Sequence, residues 1–224
     1  MKSDFSRKLS ELHSELGSCS LLIVSKTRSI EEIKTYYDLG HRDFGENRVQ
    51  ELSEKAEALK EICPEIRWHM IGHLQSNKIN TLFKVPKLFA IHSVHDHALV
   101  EKLVANDSKI GHEMKVFLQF NTSKEVEKSG FENYEELKSA SLLLSKTQHL
   151  KLSGLMTMGT LRTHDFEAEA RRCFSELHNL KEKLQSELGL KLQTSMGMSQ
   201  DYKLALKEGS DWIRIGTRMF PESK

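Results

Sequence analysis

Ser20-Leu-Leu-Ile-Val-Ser-Lys-Thr27 is an apolar run closed by a lysine, and the residues after it, Ile30 to Leu39, place apolar side chains at helical spacing. A short uncharged run suits a strand buried on both faces of a parallel sheet, and a following helix suits the crossover such a sheet needs. The same pair recurs down the chain. Further strands are predicted at His41 to Phe44, Arg67 to Ile71, Leu88 to Ile91, Lys115 to Phe120, Leu152 to Met156, Leu192 to Ser195 and Trp212 to Ile215. Asn47 to Lys60, Gln75 to Phe83, His95 to Ala105, Tyr134 to Ser145, Phe166 to Leu188 and Ser199 to Lys207 read as amphipathic helices. This rhythm over 224 residues predicts an α/β fold, a single (β/α)8 TIM barrel domain over residues 1–224, with a doubly wound open sheet as runner-up. Phe5, Leu9, Leu12 and Leu16 predict an extra N-terminal helix over Asp4 to Leu16.

The 33 basic residues nearly balance the 32 acidic ones, so no polybasic face for nucleic acid is expected. Leu21 to Val24 is too short to cross a bilayer or form a secretory core, which points to a cytoplasmic protein without a membrane partner. Cys19, Cys63 and Cys173 are far apart and form no C-x-x-C pair, so reduced thiols are expected rather than disulfides or a zinc site.

A barrel carries its chemistry at the C-terminal ends of its strands. Lys26 stands there after the first run; a desolvated lysine has a neutral amine able to form a Schiff base, although a lysine snorkelling from a strand end fits the position as well. In Trp212-Ile-Arg214-Ile-Gly216-Thr217, alternation places Arg214 on one face with Trp212 and Gly216, and barrel closure brings it near Lys26. Two cations in one pocket call for an anionic ligand, unless Arg214 pairs with an acidic residue on the rim. Gly197-Met198-Ser199 and Gly216-Thr217 follow the last two strands, where barrels commonly hold a phosphate; as an alternative, Ser199 caps its helix. A lysine, an arginine and a phosphate cradle suggest an aldehyde-bearing phosphorylated ligand, with pyridoxal 5′-phosphate the obvious candidate. A sugar-phosphate enzyme using Lys26 would need an acidic partner, for which Glu46 is the candidate.

Val24-Ser-Lys26-Thr27, Phe44-Gly-Glu-Asn47, Trp68-His-Met-Ile-Gly72-His-Leu-Gln-Ser-Asn-Lys78, Lys128-Ser-Gly130, Gly154-Leu-Met156, Gly197-Met-Ser-Gln-Asp201 and Arg214-Ile-Gly-Thr217 run in order along nearly the whole chain. Together they resemble the pyridoxal phosphate homeostasis protein family, which shares the alanine racemase N-terminal-like barrel. The resemblance implies that Lys26 holds pyridoxal phosphate as a Schiff base, that Arg214 faces the pyridine nitrogen and that Asn47 lies beside the ring. It further implies that Ser199, Gly216 and Thr217 hold the phosphate, that His69 and the Gly72 turn line the pocket floor, and that Met198 packs there. Arg28-Ser29, Lys203 and Phe220-Pro221 depart from the family's usual residues.

An arginine against the pyridine nitrogen disfavours its protonation and leaves the ring a weaker electron sink. Racemases of this class add a second base from a further β-domain, which is not expected here. The resemblance therefore implies a carrier or regulator of the cofactor with little or no turnover, the alternative being a pyridoxal phosphate-dependent amino-acid racemase. Apo-enzymes needing the cofactor are candidate partners, and a monomer or weak dimer is expected.

Lys78, Lys124 and Lys128 read either as transient acceptors of the aldehyde or as solvated surface lysines, with Lys128 the best acceptor candidate through its shared motif. His92, His95 and His97 invite a metal reading, but His95 and His97 are expected to diverge at a helix start marked by Asp96. His69 reads as a general base or as a packed core histidine. Phe174, Leu177, Leu180 and Leu184 form a stripe that packs on the barrel or meets a partner.

Overall fold

The computed structural model describes residues 2–160 and 163–220; Pro221 lies outside the described residues. The strands are β1 (Ser20–Val24), β2 (Asp43–Glu46), β3 (Arg67–Met70), β4 (Leu88–Val94), β5 (Met114–Gln119), β6 (Leu150–Met156), β7 (Gln193–Ser195) and β8 (Trp212–Ile215). Each pairs in parallel with the next and β8 returns to β1, so the sheet closes as a (β/α)8 barrel and the open doubly wound arrangement is excluded. The helices are α1 (Lys2–Leu16), α2 (Ile30–Asp38), α3 (Val49–Leu59), α4 (Ile79–Leu82), α5 (His97–Ala105), α6 (Tyr134–Leu144), α7 (Phe166–Leu188) and α8 (Tyr202–Lys207).

Several predicted limits shift by one to three residues, β4 for example running on to Val94, and three of the differences have a clear local reason. The second strand begins two residues later than expected, because the His41 amide still bonds back to the Tyr36 carbonyl and closes the end of α2. Gln75 to Phe83 splits into a 3-10 turn, Ser76–Lys78, and the short α4. The last helix starts at Tyr202 rather than Ser199, because Gly197 turns the chain at φ +93° and Asp201 takes the N-cap position. A side chain at Gly197 would strike Ala205 of that helix at 2.6 Å, so the turn needs glycine for room as well as for its dihedral. At the departure from the family pattern, Ser29 forms a capping box with Glu32 and starts α2 cleanly.

Strand alternation divides the molecule into two interiors. Leu21, Ile23, Phe44, Trp68, Met70, Ile213 and Ile215 belong to the main core between sheet and helices. Leu22, Ala90, Phe117, Met156 and Trp212 form a smaller cluster inside the barrel, where the rings of His69 and His92 lie 5.3 and 6.2 Å from Trp212. Phe174, Leu177 and Leu184 are buried and Leu180 packs beside them, so the α7 stripe faces the barrel. The N-terminal helix buries Phe5 against Tyr36 at 4.8 Å. No helix of the described residues is long and apolar enough to cross a membrane.

The seam between β6 and β7 is the tightest place in the wall. A Cβ on Gly154 would sit 2.0 Å from the Gln193 carbonyl oxygen and 2.8 Å from the Phe117 ring. Backbone on the neighbouring strand can yield only by opening the barrel beside a strand of three residues. Gly154→Ala is therefore expected to destabilise the fold by about 3 kcal/mol, read as a lowered urea midpoint; an unchanged midpoint would show that the seam is compliant.

Candidate functional site

At the C-terminal mouth of the barrel a cavity of about 400 Å³ is lined by Lys26, Asn47, Met198, Ser199, Arg214, Gly216 and Thr217, together with Val24, Ile71, Gly72, Met158, Gln200 and Asp201. All seven residues singled out from the sequence meet there, contributed by the ends of β1, β2, β7 and β8.

The β1 end is held from below. Lys55 of α3 donates to the Ser25 carbonyl at 2.7 Å, to Glu46 at 2.9 Å and to Glu51 at 2.6 Å. Glu51 also accepts from the Thr27 amide at 2.6 Å, and Thr27 adopts φ +63°. This left-handed turn is strained for a threonine, and the Glu51 bond offsets part of that cost. Lys26 projects from the pinned segment and is exposed, which fits the snorkelling reading of its place after an apolar run rather than the desolvated one. Glu46 is wholly buried outside the cavity lining, where it accepts from Ser25 Oγ and Lys55, and burial pushes its carboxyl above the usual range. It cannot act as the acidic partner that the sugar-phosphate reading requires.

Arg214 is 5% exposed and lies inside the barrel on the face shared with Trp212, as alternation predicts. Its Nη1 donates to Ser195 Oγ and its Nη2 to the Thr157 carbonyl, both at 2.8 Å and neither charged. Burial lowers the guanidinium to about 10, leaving it a cation at neutral pH. Of the lining side chains Asp201 alone is acidic: Oδ1 accepts from the Met198 amide at 2.5 Å, Oδ2 is buried without a hydrogen-bond partner, and burial raises its carboxyl. Ser199 stands before the N-cap and plays no part in capping, so its hydroxyl needs another explanation.

Gly72 does line the cavity, where a Cβ would fall 2.1 Å from the Asn47 carbonyl, so this turn can approach Asn47 only as glycine. His69 does not. Its ring is fully buried lower in the barrel, between Asp43 and His92, because the side chain points inward one level beneath the mouth. Lys128 is tied to Glu125 at 2.7 Å and to the Gly159 carbonyl at 2.9 Å, whereas Lys78 and Lys124 are exposed. The remaining histidines diverge: His92 is interior, His95 stacks on His73 at 4.3 Å, and His97 faces Glu101, while Asp96 caps α5 through the Leu99 amide. The sequence did not reveal Lys55 as an anchor, although a lysine among Leu52, Ala56 and Leu59 on a buried helix face was an available signal.

The family model for the alanine racemase N-terminal domain matches residues 3–223. The human pyridoxal phosphate homeostasis protein is 38% identical over 209 residues, covering 90% of this chain and 76% of its own length. The chain belongs to the pyridoxal phosphate homeostasis protein family. PipY of Synechococcus elongatus PCC7942 superimposes with a TM-score of 0.89 at 35% identity in its structure without PLP, over 97% of this chain and all of that one. Its structure with PLP bound gives 0.85 at 34% identity, over the same shares of both chains. The alanine racemase of Corynebacterium glutamicum, 14% identical with a TM-score of 0.77 over 99% of this chain and 61% of that one, shares the barrel fold.

Proposed function

We propose that the cavity binds pyridoxal 5′-phosphate and that the protein serves intracellular pyridoxal phosphate homeostasis as a carrier or regulator with little or no turnover. The observation that carries this reading is the convergence of Lys26, Arg214, Ser199, Gly216 and Thr217 on one cavity of about 400 Å³, a size ordinary for a small-ligand site. The donor set fits the group: a primary amine for an aldehyde, hydroxyls and a glycine backbone for a phosphate, and a guanidinium and an amide for the ring. Bound there, pyridoxal phosphate supplies an aldehyde that condenses with a primary amine and a ring that withdraws electrons.

Each side chain then has a task. Ser199 and Thr217 offer hydroxyls to the phosphate, and Gly216 lets the backbone come close. Arg214, charged and held by Ser195 and Thr157, opposes a second positive charge beside it and so keeps the ring a poor electron sink. The exposed Lys26 and Thr217 keep the mouth open, as transfer of the cofactor to an apo-enzyme would require. These features favour holding the cofactor over transforming amino acids with it.

The test is to add pyridoxal phosphate to the purified protein, follow its visible absorption, then supply L-alanine and measure D-alanine by chiral chromatography. A protein-dependent band with racemisation no faster than free cofactor gives is the expected result. Racemisation far above that background would replace the carrier with the racemase, and no spectral change on addition would overturn the cofactor site itself.

A further inference from the structure

Beneath the cavity a line of buried polar groups runs down the barrel. Ser195 Oγ lies 2.8 Å from Arg214 Nη1 and 2.9 Å from His92 Nδ1; His92 Nε2 lies 3.0 Å from His69 Nδ1, and His69 Nε2 lies 3.0 Å from Asp43 Oδ1. Asp43 in turn pairs with Arg67, whose side chain reaches solvent at the opposite end of the barrel. His69, His92 and Ser195 are 0% exposed. Phe117 stacks on the His92 ring at 4.3 Å, and Phe89 and Trp212 both lie 5.3 Å from His69, so the chain is packed in an apolar sleeve.

The direction of every bond in the line is forced by its ends. A guanidinium has donors only and an ionised carboxylate acceptors only. With neutral imidazoles, His69 must therefore carry its proton on Nε2 to meet Asp43, which leaves Nδ1 to accept from His92 Nε2–H, which leaves His92 Nδ1 to accept from the Ser195 hydroxyl. Ser195 then has only lone pairs to offer, and Arg214 fills one. Reversing any link would set two lone pairs, or two protons, face to face in the core.

The charges around the line agree with this reading. Burial pushes both imidazoles down, and for His92 the neighbouring His69, Arg214 and Lys115 push the same way. Burial alone would raise the Asp43 carboxyl, but the His69 and Arg67 contacts outweigh it and hold the group below its ordinary value. Among the described residues no carboxylate hydrogen-bonds Arg214, although the charge of Asp201 acts on it, and the anion at the lower end of the line is Asp43.

We propose that Asp43, His69, His92 and Ser195 are positioning residues for Arg214: the one-way chain fixes the orientation of the guanidinium and leaves its remaining N–H groups and its charge for the cavity ligand. The part of this inference that concerns cofactor affinity rests on the function proposed above, whereas the orientation of Arg214 does not.

Nitrogen-15 NMR of the ligand-free protein tests the chain directly. At pH 7 both His69 and His92 are expected neutral and protonated on Nε2, and the two Nη signals of Arg214 are expected resolved, because rotation is blocked by Ser195 and Thr157. Asp43→Ala, which removes the acceptor at the lower end, and Ser195→Ala should merge the Arg214 signals, while Ser195→Thr, which keeps the hydroxyl, should restore them; circular dichroism establishes that each variant is folded. In the protein that binds pyridoxal phosphate, Ser195→Ala and Asp43→Ala are expected to weaken binding by about 10-fold, the equivalent of one lost hydrogen bond to a charged group, with Ser195→Thr close to the parent. An Nδ1–H or charged imidazole at pH 7, or Arg214 signals indifferent to Asp43→Ala in the folded variant, would overturn the proposal. If the parent takes up no pyridoxal phosphate, the function reading fails and the NMR result decides the relay by itself.

Discussion

Replacing Lys26 with alanine is expected to abolish covalent attachment of pyridoxal phosphate and to weaken its binding by about 100-fold or more, equivalent to about 2.7 kcal/mol. The reason is positional. Among the described residues Lys26 is the one primary amine lining the mouth cavity, and its backbone is fixed by the Lys55 bond to the Ser25 carbonyl and the Glu51 bond to the Thr27 amide. Lys128, the best of the other lysines considered, is already engaged with Glu125 and the Gly159 carbonyl. Borohydride treatment after loading, followed by peptide mass mapping, reads the outcome. The parent should carry the added mass on the peptide containing Lys26, and the variant on none. Mass retained in the variant on the peptide containing Lys78, Lys124 or Lys128 would show that another amine takes the aldehyde, and Lys26 would lose its assigned role.

The sequence made the barrel legible because its rhythm is written in residues that leave little choice. β1, β8 and α7 match their predicted limits at both ends, β1 as an uncharged run, β8 as an alternation of Ile213 and Ile215 with Trp212 and Arg214, and the helix as a long stripe closed by Gly189 in the left-handed conformation. β2 slipped at its far end because Glu46, a charged residue that looks like a strand end, is a buried strand member paired with Lys55 of α3. At the site, Lys26, Arg214, Ser199, Gly216 and Thr217 could be found because a barrel gathers its strand ends, whereas Asn47 came only from the family resemblance. What lies below them could not, since it depends on closure: His92 meets Ser195 across 103 positions of sequence. A motif also gives a position along the chain and not a height in the barrel, which is why His69 was placed at the pocket floor and stands one level lower. The left-handed φ at Thr27, just after Lys26, is a conformation that a threonine does not advertise.

Lowering the pH from 7 to 5 is expected to destabilise the folded protein, by about 2 kcal/mol for each buried imidazole that stays neutral in the fold, before any ordinary carboxylate is protonated. Three buried imidazoles drive this. Burial takes His41 down to about 4, where its Nε2 donates to the Asp43 carbonyl, and it lowers His69 and His92 as well. A histidine with a depressed folded value contributes stability that is complete above its unfolded value, near 6.5, and that drains away as the pH falls toward the folded one. Each histidine that charges only in the unfolded chain removes about 1.4 kcal/mol per pH unit in that window. Glu46 and Asp201 act in the opposite sense, because burial raises them and the folded state takes up their protons first, relieving part of the loss as the carboxylate range is approached. Asp43, held below its ordinary value, adds its own loss only at still lower pH. Urea unfolding followed by circular dichroism at pH 7, 6 and 5 measures the slope. His41→Gln, whose amide can still donate to the Asp43 carbonyl, should make that slope about one third shallower. A stability that stays level from pH 7 to pH 5 would mean that these imidazoles take up protons inside the fold, which the one-way hydrogen-bond chain from Arg214 to Asp43 does not allow.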